Sequence, residues 1–277
     1  MHVISVAERS RLGVWKHASR AIVERIVAEG YRVIVPRSDI AAFHKNTPAS
    51  VEVHCENDYT EAFGNYLWES IREVQPQRYG WYLQQLIKLE ALRRLGMEGQ
   101  RGLIWDADTV PLTQLSFFGP RGGAFFWGEE RHIPYFRVTE TLLGLPSIVE
   151  RSFIAQSFPC EAHWIAGFCD FVELCHDVPW WQAIIDQTDL REESGFSEYE
   201  TLGTYVTHFF PGEWSWQKPR WERNGYSAYS RPRSARKDSA RGANSPAFVA
   251  FESWEPRRKY HKSWLRRLTN GFSTSAD

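Results

Sequence analysis

The sequence predicts an α/β fold, a Rossmann-type sheet flanked by helices with a short C-terminal extension, on three observations. Residues 3–6, 12–28 and 31–35 read in order as strand, helix and strand, the βαβ opening of a parallel sheet. Further on, the apolar run Leu103-Ile104-Trp105 reads as a buried strand that passes directly into Asp106-Ala107-Asp108. Charged groups at such a strand end fall where open α/β sheets bind ligands. Finally, 277 residues with 43% hydrophobic content suffice for one large α/β domain or a domain with a modest appendage.

Taken in order, Gly30 stops the first helix before the strand 31–35. A second unit follows, with a short helix at 39–45, a strand at 51–54, and a loop from Asn57 into helical segments around 62–71. The helix 81–95 places Leu83, Leu86, Ile87, Leu89, Ala91, Leu92 and Leu95 on one broad side and leaves Gln84, Gln85 and Lys88 on its margins. Two readings stand for Lys88: a phosphate contact beside the carboxylates, or a solvated lysine on a helix.

Pro111 cannot continue a central ladder, so the acidic pair lies where a strand gives way to a loop. Residues 124–127 and 151–156 read as strands, 162–175 and 180–185 as helices. Phe196-Ser197-Glu198-Tyr199-Glu200 opens another helix, in which Ser197 caps the N-terminus and Glu200 completes a capping box. Capping explains Glu200 without any catalysis.

The stretch 231–245, rich in Ser, Arg, Gly and Asn, reads as a flexible linker between a body of residues 1–230 and a tail of residues 246–277. The tail holds a strand at 248–251 and, after Pro256, a basic amphipathic helix with Tyr260, Trp264, Leu265 and Leu268 on one side. That helix either packs on the body through Trp264 or rests on an anionic membrane surface.

In an extended backbone, residues two apart point the same way, so Asp106 and Asp108 can share one cation. Carboxylate oxygens suit Mg2+ or Mn2+, which also hold a diphosphate. A net charge of −1 gives no reason to expect nucleic acid as a partner, although the basic excess gathers from Gly212 onward. Cys55, Cys160, Cys169 and Cys175 show no C-x-x-C spacing, which argues against zinc and a disulfide framework and fits reduced thiols in a cytoplasmic protein. The first six residues are too short and wrongly flanked for a signal peptide, and no uncharged apolar stretch is long enough to span a bilayer. Thirteen tryptophans fit either sugar stacking or packing.

Four stretches in order carry a resemblance: Gln84-Gln85-Leu86-Ile87-Lys88, Trp105-Asp106-Ala107-Asp108-Thr109-Val110-Pro111-Leu112, Ser152-Phe153-Ile154-Ala155-Gln156 and Phe196-Ser197-Glu198-Tyr199-Glu200. Through them the chain resembles a bacterial family of GT-A-type glycosyltransferase-like proteins, mostly of unassigned substrate. The resemblance implies a central mixed sheet with nucleotide bound by the N-terminal half and acceptor by the C-terminal half. It also implies a metal-dependent transferase moving a sugar from a nucleotide-diphosphate donor to a hydroxyl on a glycan or lipid-linked acceptor, in surface polysaccharide biosynthesis. Asp106 and Asp108 would hold Mn2+ or Mg2+ and the donor, Lys88 and Gln84 would meet the donor, and Glu198, before Glu200, would be the acceptor-side base. His208, followed by Gly212 and Lys218-Pro219, is similar to a late metal-binding histidine of some retaining transferases; a structural histidine beside Phe209 and Phe210 is the other reading.

Two rivals remain. The pair Asp106 and Asp108 is also similar to the start of the D-x-D-x-T motif of haloacid-dehalogenase-like phosphatases, in which the first aspartate is the nucleophile. Against it, about a hundred residues precede the pair, and no later apolar strand ends in Gly-Asp or Asp-Asp. The second rival is a nucleotide-sugar or glycan-binding protein without turnover.

Overall fold

The computed structural model describes residues 1–237 and 245–252. The chain opens with β1 (His2–Val6), α1 (Leu12–Arg25), β2 (Gly30–Val35), α2 (Ile40–Asn46) and β3 (Val51–Cys55), two successive βαβ units. Helices α3 (Asn57–Thr60), α4 (Gly64–Ile71) and α5 (Tyr79–Met97) lead into β4 (Gly102–Trp105), then β5 (Thr109–Pro111), β6 (Phe118–Gly119) and β7 (Gly122–Phe125). The second half runs through α6 (Ile133–Leu143), β8 (Ser157–Cys160), α7 (Ala162–His176), α8 (Trp180–Gln187), α9 (Glu198–Phe209) and β9 (Trp214–Trp216). Helices α10 (Gly225–Tyr229) and α11 (Pro232–Lys237) and strand β10 (Phe248–Ala250) complete the described elements.

The main sheet has the order β3-β2-β1-β4-β8. Its first four strands are mutually parallel, and β8 runs antiparallel to β4. From β1 the chain builds outward on one side to β2 and β3 and later returns to add β4 on the other. The carboxyl ends of β1 and β4 therefore flank a topological switch point, the crevice where such sheets bind ligands.

Both faces of this sheet are covered. In β1, Val3 and Ile4 belong to two different apolar clusters, as do Leu103 and Ile104 in β4 and Val33 and Ile34 in β2. Adjacent strand residues point to opposite faces, so strands buried on both sides must be apolar at every position.

Several elements differ from the sequence expectation. Residues 151–156 are not a strand; the strand is Ser157–Cys160. Pro159 argues against a ladder there, but β8 lies at the sheet edge, where proline is tolerated. Helix α6 stands within an acidic and aromatic stretch, with Pro134 in its first turn, a position that needs no donor. Within 231–245, residues 232–237 form helix α11 instead of a linker, and Ala235 is fully buried. Strand β10 pairs antiparallel with β5, so part of the tail completes the body. The basic helix expected after Pro256 lies outside the described residues. No helix among them is long and apolar enough to cross a membrane.

Candidate active site

Where β4 ends, the backbone turns instead of staying extended. Thr109 N donates to Asp106 O at 3.0 Å, and Asp106 N donates to Gln156 O at 2.9 Å. The buried Trp105 indole closes the turn from inside by donating to Thr109 O at 2.9 Å, while Ser5 Oγ donates to Trp105 O at 2.7 Å. From the far side, Phe251 N donates to Asp108 O at 2.9 Å. The two aspartates are thus held by a fixed turn and not by the extended backbone expected, and each has its own basic partner.

Asp106 faces α5 and α9. Lys88 Nζ, on α5, donates to Asp106 Oδ1 and to Glu198 Oε1, both at 2.7 Å. Tyr199 Oη donates to the same Asp106 oxygen at 2.8 Å and lies 3.3 Å from Lys88 Nζ. Helix α9 is brought to α5 by its own N-terminus, where Glu198 N donates to Gln85 Oε1 at 3.1 Å. The Lys88 side chain is only 6% exposed. Burial alone would lower its pKa, but Asp106 and Glu198 outweigh burial and raise it, so Lys88 stays charged. Glu198 is raised by burial against the opposing pull of Lys88, with Asp106 adding to the rise.

Asp108 faces the other side of the crevice. Arg11, in the short turn that follows β1, places Nη1 3.2 Å from Asp108 Oδ2, so this ion pair spans the switch point. Burial pushes Asp108 up to about 7; Arg11 opposes the rise, and Asp106 and Glu252 add to it. Glu252 in turn accepts from Arg223 Nε at 2.7 Å and from Gln156 Nε2 at 3.2 Å, and Arg223 Nη1 reaches Glu130 Oε2 at 2.6 Å. Gln156 holds a left-handed backbone, φ 60°, while buried beside the turn. Such strain in a non-glycine residue is kept where the surroundings over-determine it.

The structure therefore brings Lys88, Asp106, Asp108 and Glu198 together and separates the other expected residues. Gln84 is half-buried one turn before Lys88 on α5. Glu200 faces away from Asp106: residues two apart on a helix point roughly 200° apart. Its Oε1 accepts from Ser152 Oγ and, at 3.2 Å, from Phe153 N, while its N takes the Ser197 cap at 3.3 Å. Burial pushes Glu200 up to about 7. His208, expected beside the metal, lies in the last turn of α9, about 15 Å along the helix from Glu198. Its Nε2 meets Pro146 O at 2.8 Å, so this ring is a structural tie and not a partner of the aspartates. Sequence reasoning missed Arg11, Tyr199, Gln156, Arg223 and Glu252. Tyr199 and Gln156 stood inside quoted motifs without a role, and Arg11 had no local signal.

The donor set fits a hard divalent cation. Among the described residues, no three His, Cys, Asp or Glu side chains form a cage. Mg2+ and Mn2+ need none, since one or two carboxylates plus substrate phosphate oxygens hold them. Each aspartate has further lone pairs beyond those taken by Lys88, Tyr199 and Arg11. Burial is the first cause of the rise at Asp108 and Glu198, opposed by Arg11 and Lys88 respectively, with the neighbouring carboxylate Asp106 adding to it at both.

Against solved structures, the chain is similar to mouse xyloside xylosyltransferase 1, with 12% identity and a TM-score of 0.52 over 92% of this chain and 98% of that one. The fold is that of the GT-A glycosyltransferases. Two structures of the galactosyltransferase LgtC align over 100% of this chain and 98% of theirs at 11% identity: a complex with donor and acceptor sugar analogues, TM-score 0.47, and an active-site mutant, TM-score 0.49. By sequence, no family model and no curated protein matches the chain.

Proposed function

We propose that the protein is a metal-dependent glycosyltransferase that moves a sugar from a nucleotide-diphosphate donor to a hydroxyl on a glycan or lipid-linked acceptor, in polysaccharide assembly. The observation that carries this reading is the pair Asp106 and Asp108, each paired with a different basic side chain, on one turn at the switch point of a GT-A fold. Asp106 and Asp108 would hold Mn2+ or Mg2+, which supplies charge neutralisation at the departing diphosphate when bound.

The chain's own groups prepare that place. Lys88 and Tyr199 orient Asp106 by charge-assisted hydrogen bonds to one oxygen. Arg11 favours the ionised form of Asp108 against the push of burial. Glu198 fixes Lys88, and we read it as a positioning residue; its buried ion pair leaves it poorly placed to receive an acceptor proton.

Calorimetry of UDP- and GDP-sugars with Mn2+ tests this. Wild-type protein binds one donor class in a Mn2+-dependent manner, and Asp108→Ala loses that dependence. Unchanged affinity in Asp108→Ala sinks the reading. Steady phosphate release from simple phosphomonoesters, abolished in Asp106→Asn, would instead favour the phosphatase, and donor binding without transfer across an acceptor panel would favour a binding protein.

A further inference from the structure

On the outer side of α1, away from the acidic turn, α1 and α11 enclose a groove of about 600 Å3 lined by Lys16, His17, Arg20, Glu24, Arg233 and Arg236. The opposite side of α1 is buried through Val14, Trp15, Ala18, Ala21 and Ile22, and Ala235 anchors α11. The groove walls are therefore fixed by the core. Glu24 pairs with Arg236 and is the single carboxylate of the lining. Lys16, Arg20 and Arg233 are exposed around it, with Lys16 and Arg20 one helical turn apart, where like charges repel.

The repulsion registers on the neighbours. His17 is lowered first by burial and then by all four cations, Lys16, Arg20, Arg236 and Arg233. Arg25 is lowered by burial and by Arg236, with Glu24 opposing. In a chain of net charge −1, this is a local concentration of positive charge that Glu24, the one carboxylate among the described lining residues, does not balance.

We propose that this groove is a binding site for a phosphate-bearing anion carrying two or more negative charges, separate from the acidic turn. Guanidinium forks meet phosphate oxygens two at a time, and a lysine ammonium adds a point charge. The groove volume admits the phosphate with part of the group it is attached to. The phosphate can belong to a soluble molecule or to a lipid headgroup, and the experiment distinguishes them.

His17 reports occupancy directly, because an anion among the four cations cancels the field that helps to hold its pKa down. The test is a histidine NMR titration of the full chain, without divalent metal, as inorganic pyrophosphate replaces NaCl at constant ionic strength. The His17 titration midpoint rises saturably while the midpoints of the other histidines hold; His17→Gln assigns the signal. The surface variant Lys16→Gln/Arg20→Gln/Arg233→Gln loses the response, whereas Asp108→Ala keeps it, which separates this site from the proposed transferase centre.

Sedimentation with cardiolipin-containing vesicles, whose headgroup carries two phosphates and two negative charges, competed by pyrophosphate and lost in the triple variant, assigns the lipid source. Saturable pyrophosphate binding without vesicle recruitment assigns the soluble one. No saturable His17 response together with no groove-dependent vesicle binding overturns the proposal.

Discussion

Replacing Lys88 with Met leaves a side chain of similar length and takes the one cation from between Asp106 and Glu198, both 2.7 Å from its ammonium. Deleting one partner of a buried charge pair typically costs about 3–5 kcal/mol, because the remaining charge is left uncompensated. A domain has only about 5–15 kcal/mol of stability in all. At about 2–4 °C per kcal/mol for a chain of this size, Lys88→Met should melt roughly 6–20 °C lower. The loss should depend on pH in a definite direction. Lys88 is raised in the fold, so its contribution is complete everywhere below the ordinary lysine value of about 10.4 and is lost only as pH climbs through the higher folded value. In Lys88→Met, Glu198 loses the group that held it down and rises further. Its proton then relieves the repulsion with Asp106 on acidification. Urea unfolding of both proteins at about pH 8 and about pH 5.5 should show a deficit that shrinks in acid. A deficit under about 0.5 kcal/mol at the higher pH, or one that grows in acid, refutes the reasoning.

Glu200 gives a second, opposite test. Its folded pKa, about 7, stands above the ordinary glutamate value, so its contribution is full in acid and is lost as pH rises through about 7. Glu200→Gln keeps an oxygen for Ser152 Oγ and Phe153 N and should flatten this slope, gaining about 1–3 kcal/mol at about pH 8 relative to wild type; parallel pH profiles in urea would show that the carboxyl does not titrate there. Gly203→Ala should cost about 1–3 kcal/mol by overpacking, since a Cβ would collide with the Phe153 ring. Phe153 has no room to yield, with Phe125 and Trp216 rings at 5.1 and 4.9 Å, and an unchanged melting temperature in Gly203→Ala would contradict that packing.

Much of the sheet was legible because strands buried on both faces, such as Leu103-Ile104-Trp105, announce themselves as apolar runs bounded by Gly and Asp. The aspartates and Lys88 were legible for the same local reason: polar groups at the edge of strongly patterned elements. Arg11 was not, since its meeting with Asp108 follows from β1 pairing with β4, a decision of topology that leaves no trace near Arg11. Ser157–Cys160 stayed hidden because Pro159 argues locally against a strand that only an edge position permits. His208 misled through residue type and order alone. Counting helical rise from Glu198 removes it without any structure. The same count separates Glu198 from Glu200, so only one of the two can look toward Asp106.

The pairing of β10 with β5 sets the order in which this molecule can mature. Thr109–Pro111 finds its only ladder partner among the described strands in Phe248–Ala250, and Asp108 O waits for Phe251 N. A nascent chain can close β1, β2, β3 and β4 early, yet the acidic turn keeps a loose outer rim until Phe251 has emerged. Contacts between segments so far apart close slowly. The shape of the acidic turn is thus a late acquisition of the growing chain, and shortened products that end before Phe248 would carry both aspartates without the strand that shapes them.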